Sequence, residues 1–392
     1  MESTIQGIFL LGYGLYDQMN RLPDHIREAV HRISVCRTAL LGGHVQACPD
    51  GHYKRNWYNS CKHRICPLCA FTQVERWLAK QKARLLDTRH FHVVFTISPE
   101  LHELWRLNVK VMANLLFKSA TETLLELLDD PKYLGARVGI IASLHTWTRK
   151  LALHPHLHCL VTAGGLSFGK WVASSDTFLL PFGVVRKVFR GKYLHYLRLA
   201  LDRGDLVLPE GIGPQQVRNL LNKLGRGKKW NVKLKETYSY GEGVLIYLAR
   251  YLRGGPISNK RIHRVEDGEV TFNFGRKSVR LFTLPIQTFI GLYLQHVLPP
   301  KFVTVRSYGL YHHVLKEDLA LCREILGQPP VEDVGFLDWQ SLWQERSEAH
   351  PKCCPVCGKQ LIAFEVLTPE KKPRKVPIPC NKGPDIEYLY AA

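Results

Sequence analysis

His154-Pro155-His156-Leu157-His158-Cys159-Leu160-Val161 is the stretch on which the reading of this chain turns. Its apolar residues and its spacing read as an extended strand. Residues two apart on a strand point to the same face, so His156 and His158 would bring two neutral nitrogen ligands to one point. His145 stands eleven residues before His156, at the end of the apolar run Val138-Gly-Ile-Ile-Ala-Ser-Leu144. Pairing the two runs as antiparallel strands would let His145 reach the same metal, with His154 left to orient its neighbours. Further on, Val244-Leu-Ile-Tyr247-Leu-Ala-Arg-Tyr251-Leu holds two tyrosines four apart. On a helix that spacing puts both on one face, with about 6 Å of rise between them at roughly 1.5 Å per residue. A histidine-bound cation beside two such tyrosines is equipment for attacking a phosphodiester.

The charge balance points the same way. Across 392 residues, 54 Lys and Arg against 34 Asp and Glu leave a net charge of +20. An excess of that size favours a polyanionic partner, because neutralising phosphates releases condensed counterions. The densest patch is Arg226-Gly-Lys228-Lys229-Trp230-Asn-Val-Lys233-Leu-Lys235. Its cations suit a DNA backbone, and Trp230 among them suggests base stacking on a single strand. Hydrophobic content of 45% is that of an ordinary globular chain. The apolar runs are too short to span a bilayer, and Met1-Glu-Ser-Thr-Ile lacks a basic leader. A cytoplasmic setting with no membrane partner is the expectation.

Eleven cysteines in such a setting argue for thiolate metal sites rather than disulfides. Five fall between Cys36 and Cys69. Cys61, Cys66 and Cys69 have the spacing to grip one tetrahedral Zn²⁺. The fourth ligand must come from Cys48, Cys36, His44, His52 or His63, and Cys48 is expected because Cys48-Pro-Asp-Gly-His52 has the turn chemistry of a second knuckle. Near the other end, Cys353-Cys354-Pro-Val-Cys357-Gly358 reads as another knuckle, with Cys354 and Cys357 as ligands. Its remaining partners are open among Cys322, Cys380, His350, His312 and His313.

Between these landmarks the pattern predicts helices over 20–35 (with Pro23 in the first turn), 71–87, 101–128, 214–224 and 284–298. Phe91-His-Val-Val-Phe-Thr-Ile97 reads as a strand, and residues 270–274 and 278–283 as the arms of a hairpin. The proline-rich stretch from Gln328 onward reads as a linker carrying the small knuckle.

Taken together, the motifs resemble the two-tyrosine, rolling-circle insertion-sequence transposases of the insertion sequence ninety-one type. The resemblance runs through Leu41-Gly42-Gly43-His44, Tyr58-Asn59-Ser60-Cys61 with the Cys66/Cys69 knuckle, His92-Val-Val-Phe-Thr, and Leu144-His145-Thr146-Trp147. It continues through His154-Pro155-His156-Leu157-His158-Cys159, Tyr247-Leu-Ala-Arg-Tyr251, Ile257-Ser-Asn-Lys-Arg261 and Tyr308-Gly-Leu. One departure is that the family commonly has Cys-x-x-Cys-Gly-His where this chain reads Cys48-Pro-Asp-Gly-His52.

The resemblance implies an α+β fold. Its core would be a His-hydrophobic-His (HUH) endonuclease with a central antiparallel sheet, flanked by an N-terminal zinc-binding module and a C-terminal zinc knuckle. The implied organisation is a helical segment at 1–35, a zinc module for DNA recognition at 36–80 and a catalytic domain at 81–265. A hairpin and helical region at 266–330 and a linker with a knuckle at 331–392 complete it. Tyr247 and Tyr251 would be the nucleophiles, cutting and rejoining single-stranded ends of a mobile element in a bacterial, nucleoid-associated setting. The histidines would hold Mg²⁺ or Mn²⁺; imidazole favours Mn²⁺, while phosphate and water complete a shell for either. A replication initiator or relaxase shares this chemistry, and a catalytically silent zinc-organised DNA-binding protein is the alternative of another class. A zinc hydrolase is disfavoured, because no His-Glu-x-x-His accompanies the histidines.

Overall fold

In the computed structural model, the described residues are 3–69, 71–175, 179–227, 230–238, 255–335, 337–338, 342 and 352–369. In chain order the helices are α1 (Ile5–Met19), α2 (Asp24–Ser34), α3 (Phe71–Arg84), α4 (His102–Leu107), α5 (Val109–Asp129), α6 (Phe182–Asp202), α7 (Pro214–Arg226), α8 (Ile286–Leu294) and α9 (Lys316–Ile325). The strands are β1 (Gly43–Ala47), β2 (Lys54–Tyr58), β3 (His90–Thr96), β4 (Gly139–Trp147), β5 (Leu153–Thr162), β6 (Gly164–Ser167), β7 (Lys170–Ala173) and β8 (Asn231–Tyr238). They continue with β9 (Ile262–Glu266), β10 (Glu269–Asn273), β11 (Leu281–Pro285), β12 (Val305–Gly309) and β13 (Ile362–Leu367).

Five strands form the central sheet in the order β12-β4-β5-β3-β8, with every neighbouring pair antiparallel. Strand β5 lies in the middle, and its alternation divides the two faces. Leu153, Leu157, Cys159 and Val161 join Phe91, Val93 and Phe95 of β3 and Ile140, Ala142 and Leu144 of β4 in the largest core cluster. That face is covered by α5, α6 and α7, which contribute Leu116, Phe117, Leu124, Phe189, Tyr193, Leu197, Val217 and Leu221. The opposite face carries the histidines. There Leu160 and Ile141 pack under α3 and α9, against Val74, Leu78, Leu319 and Cys322.

A second core joins the N-terminal helices to α8. Ile5, Ile8 and Phe9 of α1 and Ala29, Val30 and Ile33 of α2 pack with Phe289, Ile290, Tyr293 and Leu294 of α8. Cys36, Cys61 and Cys66 lie in the same cluster. Tyr293 donates its hydroxyl to the Ile65 carbonyl at 2.6 Å, which ties α8 to the cysteine-bearing loop.

Several local expectations are corrected. The helix over 101–128 is broken at Asn108, whose backbone (φ −130°, ψ 37°) leaves the helical region. Its side chain donates to the Leu104 and Val207 carbonyls instead and accepts from the Val207 amide. An Asn side chain that competes for backbone partners is a common reason for such a break. Pro23 precedes α2 as its cap rather than sitting in the first turn. Helix α6 has no counterpart among the sequence expectations, although Val185, Phe189, Tyr193 and Leu197 carry its apolar stripe. The hairpin arms are real as β10 and β11, and β9 adds a third strand.

Trp230 is corrected too. It is only 3% exposed, and its Nε1 donates to the Leu224 carbonyl at 3.1 Å. Its ring meets Phe189 and Tyr193 edge-on, with centroids 5.8 and 6.0 Å away. An indole buried with its polar atom satisfied belongs to the core, so it is closed to base stacking. Trp230→Ala should therefore cost about 3–5 kcal/mol in denaturant unfolding; a base-stacking residue would leave stability unchanged and weaken only DNA binding.

At the far end of the sheet His90 is fully buried. Its Nδ1 donates to the Thr88 carbonyl and its Nε2 accepts from the Tyr311 hydroxyl, each at 2.8 Å; that hydroxyl also accepts from the Leu86 amide at 3.1 Å. Burial pushes the His90 pKa down to about 4. The unfolded chain, with an ordinary histidine pKa of about 6.5, binds the extra proton between those values and the folded one does not. This contribution to stability is thus complete above about pH 6.5 and is lost as pH falls toward 4. In a ring NMR titration the His90 signal should hold its neutral position down to about pH 5. Tyr311→Phe should cost about 1–3 kcal/mol in urea unfolding, because it strands two buried partners.

Candidate metal centre and nucleic-acid interface

The pairing of β4 with β5 sets His145 directly opposite His156 and Ser143 opposite His158. Paired residues on antiparallel strands project to the same side, so the three imidazoles converge on the face that the helices α5, α6 and α7 leave uncovered. Ring centroids lie 5.3 Å apart for His145 and His156, 4.2 Å for His145 and His158, and 4.8 Å for His156 and His158. One nitrogen from each falls within 4.8 Å of the others. This is the juxtaposition that the spacing suggested.

The protonation states suit a cation. His156 Nδ1 donates to the His154 carbonyl at 2.6 Å, which places the proton on Nδ1 and the lone pair on Nε2. Burial, followed by the neighbouring His158, His156 and His92, holds His145 well below the usual histidine pKa. A neutral ring is the form that coordinates metal. Burial also lowers His154, helped by the ammonium of Lys233, and its ring lies beside His156 with centroids 4.9 Å apart.

His92 is the residue whose role sequence reasoning missed. It lies on β3 opposite Leu160, fully buried, and its Nε2 shares a 2.7 Å hydrogen bond with His158 Nδ1. A partner on the far nitrogen fixes the tautomer and orientation of a ligating ring. The available signal was a histidine at an inward position of the apolar strand Phe91-His-Val-Val-Phe.

Tyr247 and Tyr251 lie outside the described residues, as do Lys228 and Lys229. Arg226 is exposed in the last turn of α7. Lys233 is exposed on edge strand β8, opposite Val94 and so on the histidine face, and Lys235 follows it opposite His92.

The cysteines sort into two clusters, and the sorting corrects the sequence reading. Cys36, rather than Cys48, joins Cys61, Cys66 and Cys69, with all four sulfurs within 4.8 Å of one another. Cys36 Sγ lies 3.2 Å from Cys69 Sγ and accepts from the Cys61 amide at 3.5 Å. The cause is chain geometry. Cys36 follows the end of α2, where Gln6 donates to its carbonyl at 3.0 Å and Arg37, at φ 56°, bonds the Asn59 carbonyl. Cys48 is carried off by strand β1, whose five residues span roughly 16 Å. Burial raises the Cys66 thiol pKa, so a thiolate set here needs a cation among its sulfurs, and four thiolates in this arrangement suit Zn²⁺.

Cys48 instead groups with His52, Cys354 and Cys357. Of the other suggested partners for the second knuckle, Cys322 is a buried residue of α9 that packs with Val74 and Leu78 of α3 against the sheet. His312 and His313 flank the start of a short turn before α9, and Cys380 and His350 lie outside the described residues. Among the described residues no helix is long and apolar enough to cross a membrane.

Comparison with known proteins accords with both parts of this arrangement. Residues 8–97 match a family described as "Transposase zinc-binding domain", and residues 139–318 match one described as "Putative transposase". The chain is 36% identical over 356 residues to "Putative transposase y4qJ" of Sinorhizobium fredii, covering 87% of this chain and 89% of that protein. It is 27% identical over 350 residues to "Transposase for insertion sequence element IS801" of Pseudomonas savastanoi pv. phaseolicola, covering 86% and 82%. No solved structure matches. With zinc-module and transposase regions in this order, and a relative matched almost end to end, the chain belongs to the rolling-circle insertion-sequence transposases of the insertion sequence ninety-one type.

Proposed function

We propose that the central sheet is an HUH nuclease core, in which His145, His156 and His158 hold Mg²⁺ or Mn²⁺ and Tyr247 and Tyr251 cut and rejoin single-stranded DNA. The observation that carries this reading is the convergence of three imidazole nitrogens within 4.8 Å on one face of the sheet. The donor set fits a divalent cation: burial holds the His145 ring neutral, and the His154 carbonyl on His156 Nδ1 leaves the lone pair of that ring on Nε2. Phosphate oxygens and water are left to complete the shell. Bound there, the cation would supply Lewis acidity to the scissile phosphate and hold it for in-line attack.

The protein's own groups do the remaining work. Lys233, exposed on the histidine face, meets the backbone phosphates, and the cations of Arg226, Lys228, Lys229 and Lys235 add to the attraction for the DNA backbone. His92 and His154 position the rings of their neighbours. A tyrosine hydroxyl attacks phosphorus: the Oη–P bond forms, the P–O3′ bond breaks, and the phenolic proton is given up while the departing 3′ oxygen gains one. The products are a 5′-phosphotyrosine and a free 3′-hydroxyl. The ester conserves the bond energy, so the reverse attack by a 3′-hydroxyl rejoins DNA without ATP. The second tyrosine lets another strand be cut while the first remains attached. In this scheme residues 36–80 serve DNA recognition, 81–265 catalysis, and 1–35, 266–330 and 331–392 flank them.

Two measurements test the scheme. His156→Ala should abolish Mg²⁺- or Mn²⁺-dependent nicking of a single-stranded oligonucleotide and change DNA affinity by no more than a few-fold, since phosphate contacts supply most of that affinity. Normal nicking by this variant would remove His156 from the site. With end-labelled strands on denaturing gels, the fragment downstream of the cut should travel with the protein. Tyr247→Phe and Tyr251→Phe should each keep part of the reaction, and the double variant none; an adduct formed by the double variant would exclude both tyrosines as nucleophiles.

A further inference from the structure

We infer that Cys48, His52, Cys354 and Cys357 form a second zinc site that clasps the C-terminal knuckle onto the N-terminal zinc module. The inference stands apart from the nuclease reading, because it concerns how two distant parts of the chain are joined. The four ligand atoms lie within 4.8 Å of one another. Cys48 Sγ is 3.5 Å from Cys357 Sγ, 309 positions away in sequence, and 3.8 Å from His52 Nδ1. Three thiolates and one imidazole are a common tetrahedral zinc set.

Both halves are shaped for the purpose. On the N-terminal side the Gly51 amide donates to the Cys48 carbonyl at 3.0 Å, and the Cys48 amide to the Tyr53 carbonyl at 2.8 Å. Gly51 takes φ +77° in that turn, which brings His52 back beside Cys48. On the C-terminal side the Val356 amide donates to Cys354 Sγ at 3.4 Å. The Gly358 amide closes the turn onto the Cys354 carbonyl at 2.9 Å, with Gly358 at φ +72°. Amide-to-sulfur bonding in a tight turn steadies the charge of a metal-bound thiolate.

Among the described residues, the apolar and ionic contacts around the site are slight. The buried apolar cluster is Cys48, Cys354 and Leu361, with Tyr53 against it. The Asp50–Lys359 ion pair is at 2.8 Å but well exposed, so it contributes little. Strand β13 pairs with β1 from Gly43 opposite Leu367 to Ala47 opposite Ile362, yet Ile362, Phe364 and Val366 face solvent. A metal link across so long a loop supplies what burial does not, as in small metal-dependent modules.

The test is zinc stoichiometry by native mass spectrometry of the full chain, combined with hydrogen exchange of its backbone. Wild type should carry two zinc ions, and Cys357→Ala, Cys48→Ala or His52→Ala should each carry one. Loss of ligands on the N-terminal side should deprotect the C-terminal strand: in Cys48→Ala and His52→Ala, amides of Ile362–Leu367 should exchange at least tenfold faster, with α5 and β5 unchanged as a control on folding. One zinc ion in the wild type would overturn the clasp. So would a Cys48→Ala variant that keeps two ions, or one in which Ile362–Leu367 stays protected. A failure of nicking would leave these readouts untouched, so the two proposals fail separately.

Discussion

The two-residue alternation of β5, pinned between β4 and β3, is the constraint from which the rest of the structure follows. With Leu157, Cys159 and Val161 committed to the core under the helices, His156 and His158 have one direction left. A slip of one residue would send the imidazoles into that core and the aliphatic side chains to the histidine face. The cost of burying unpaired polar rings therefore guards the geometry of the candidate metal centre as firmly as any contact among the histidines. His145 arrives through the same register, because its strand must match the pattern of β5 to bury Ile140, Ala142 and Leu144.

A different economy governs the N-terminal region. From Cys36 to Cys69 there is little aliphatic periodicity, and order depends on sulfur clusters and on borrowed apolar surface. Cys36, Cys61 and Cys66 share a core with α1, α2 and α8, so the first cysteine cluster is braced by residues more than two hundred positions away. The second cluster reaches farther still, to Cys354 and Cys357. Both are points where candidate metal ligands and long-range packing meet. That dependence accounts for how a lightly buried strand such as β13 comes to lie along β1.

Local pattern carried much of the fold. Short apolar runs marked β3, β4 and β5; helical spacing marked α2, α3, α5 and α7; and Cys66 and Cys69 stood out by their knuckle. The misreadings share one feature, that the deciding partner is remote. Trp230 sits in a run of cations, and only Phe189 and Tyr193 of α6 reveal it as core. Asn108 breaks a leucine-rich helix because Val207, 99 positions on, offers its backbone a bonding partner. His92 looks like one polar residue in an apolar strand until His158 is found beside it.

By itself the sequence determined the chemistry available: which side chains ligate, which alternate, which carry charge, and on which face of a strand each must lie. These depend on covalent spacing and on the periods of helix and strand, which are local. Only the tertiary structure decided which candidate ligands stand together. Cys36 and Cys48 stand twelve residues apart with the same thiol chemistry, yet one joins Cys61, Cys66 and Cys69 and the other joins Cys354 and Cys357. The physical reason is that metal coordination acts at contact distance in space. The turn after α2 keeps Cys36 beside the knuckle, whereas the extended run of β1 carries Cys48 to its far end, where β13 brings the tail alongside.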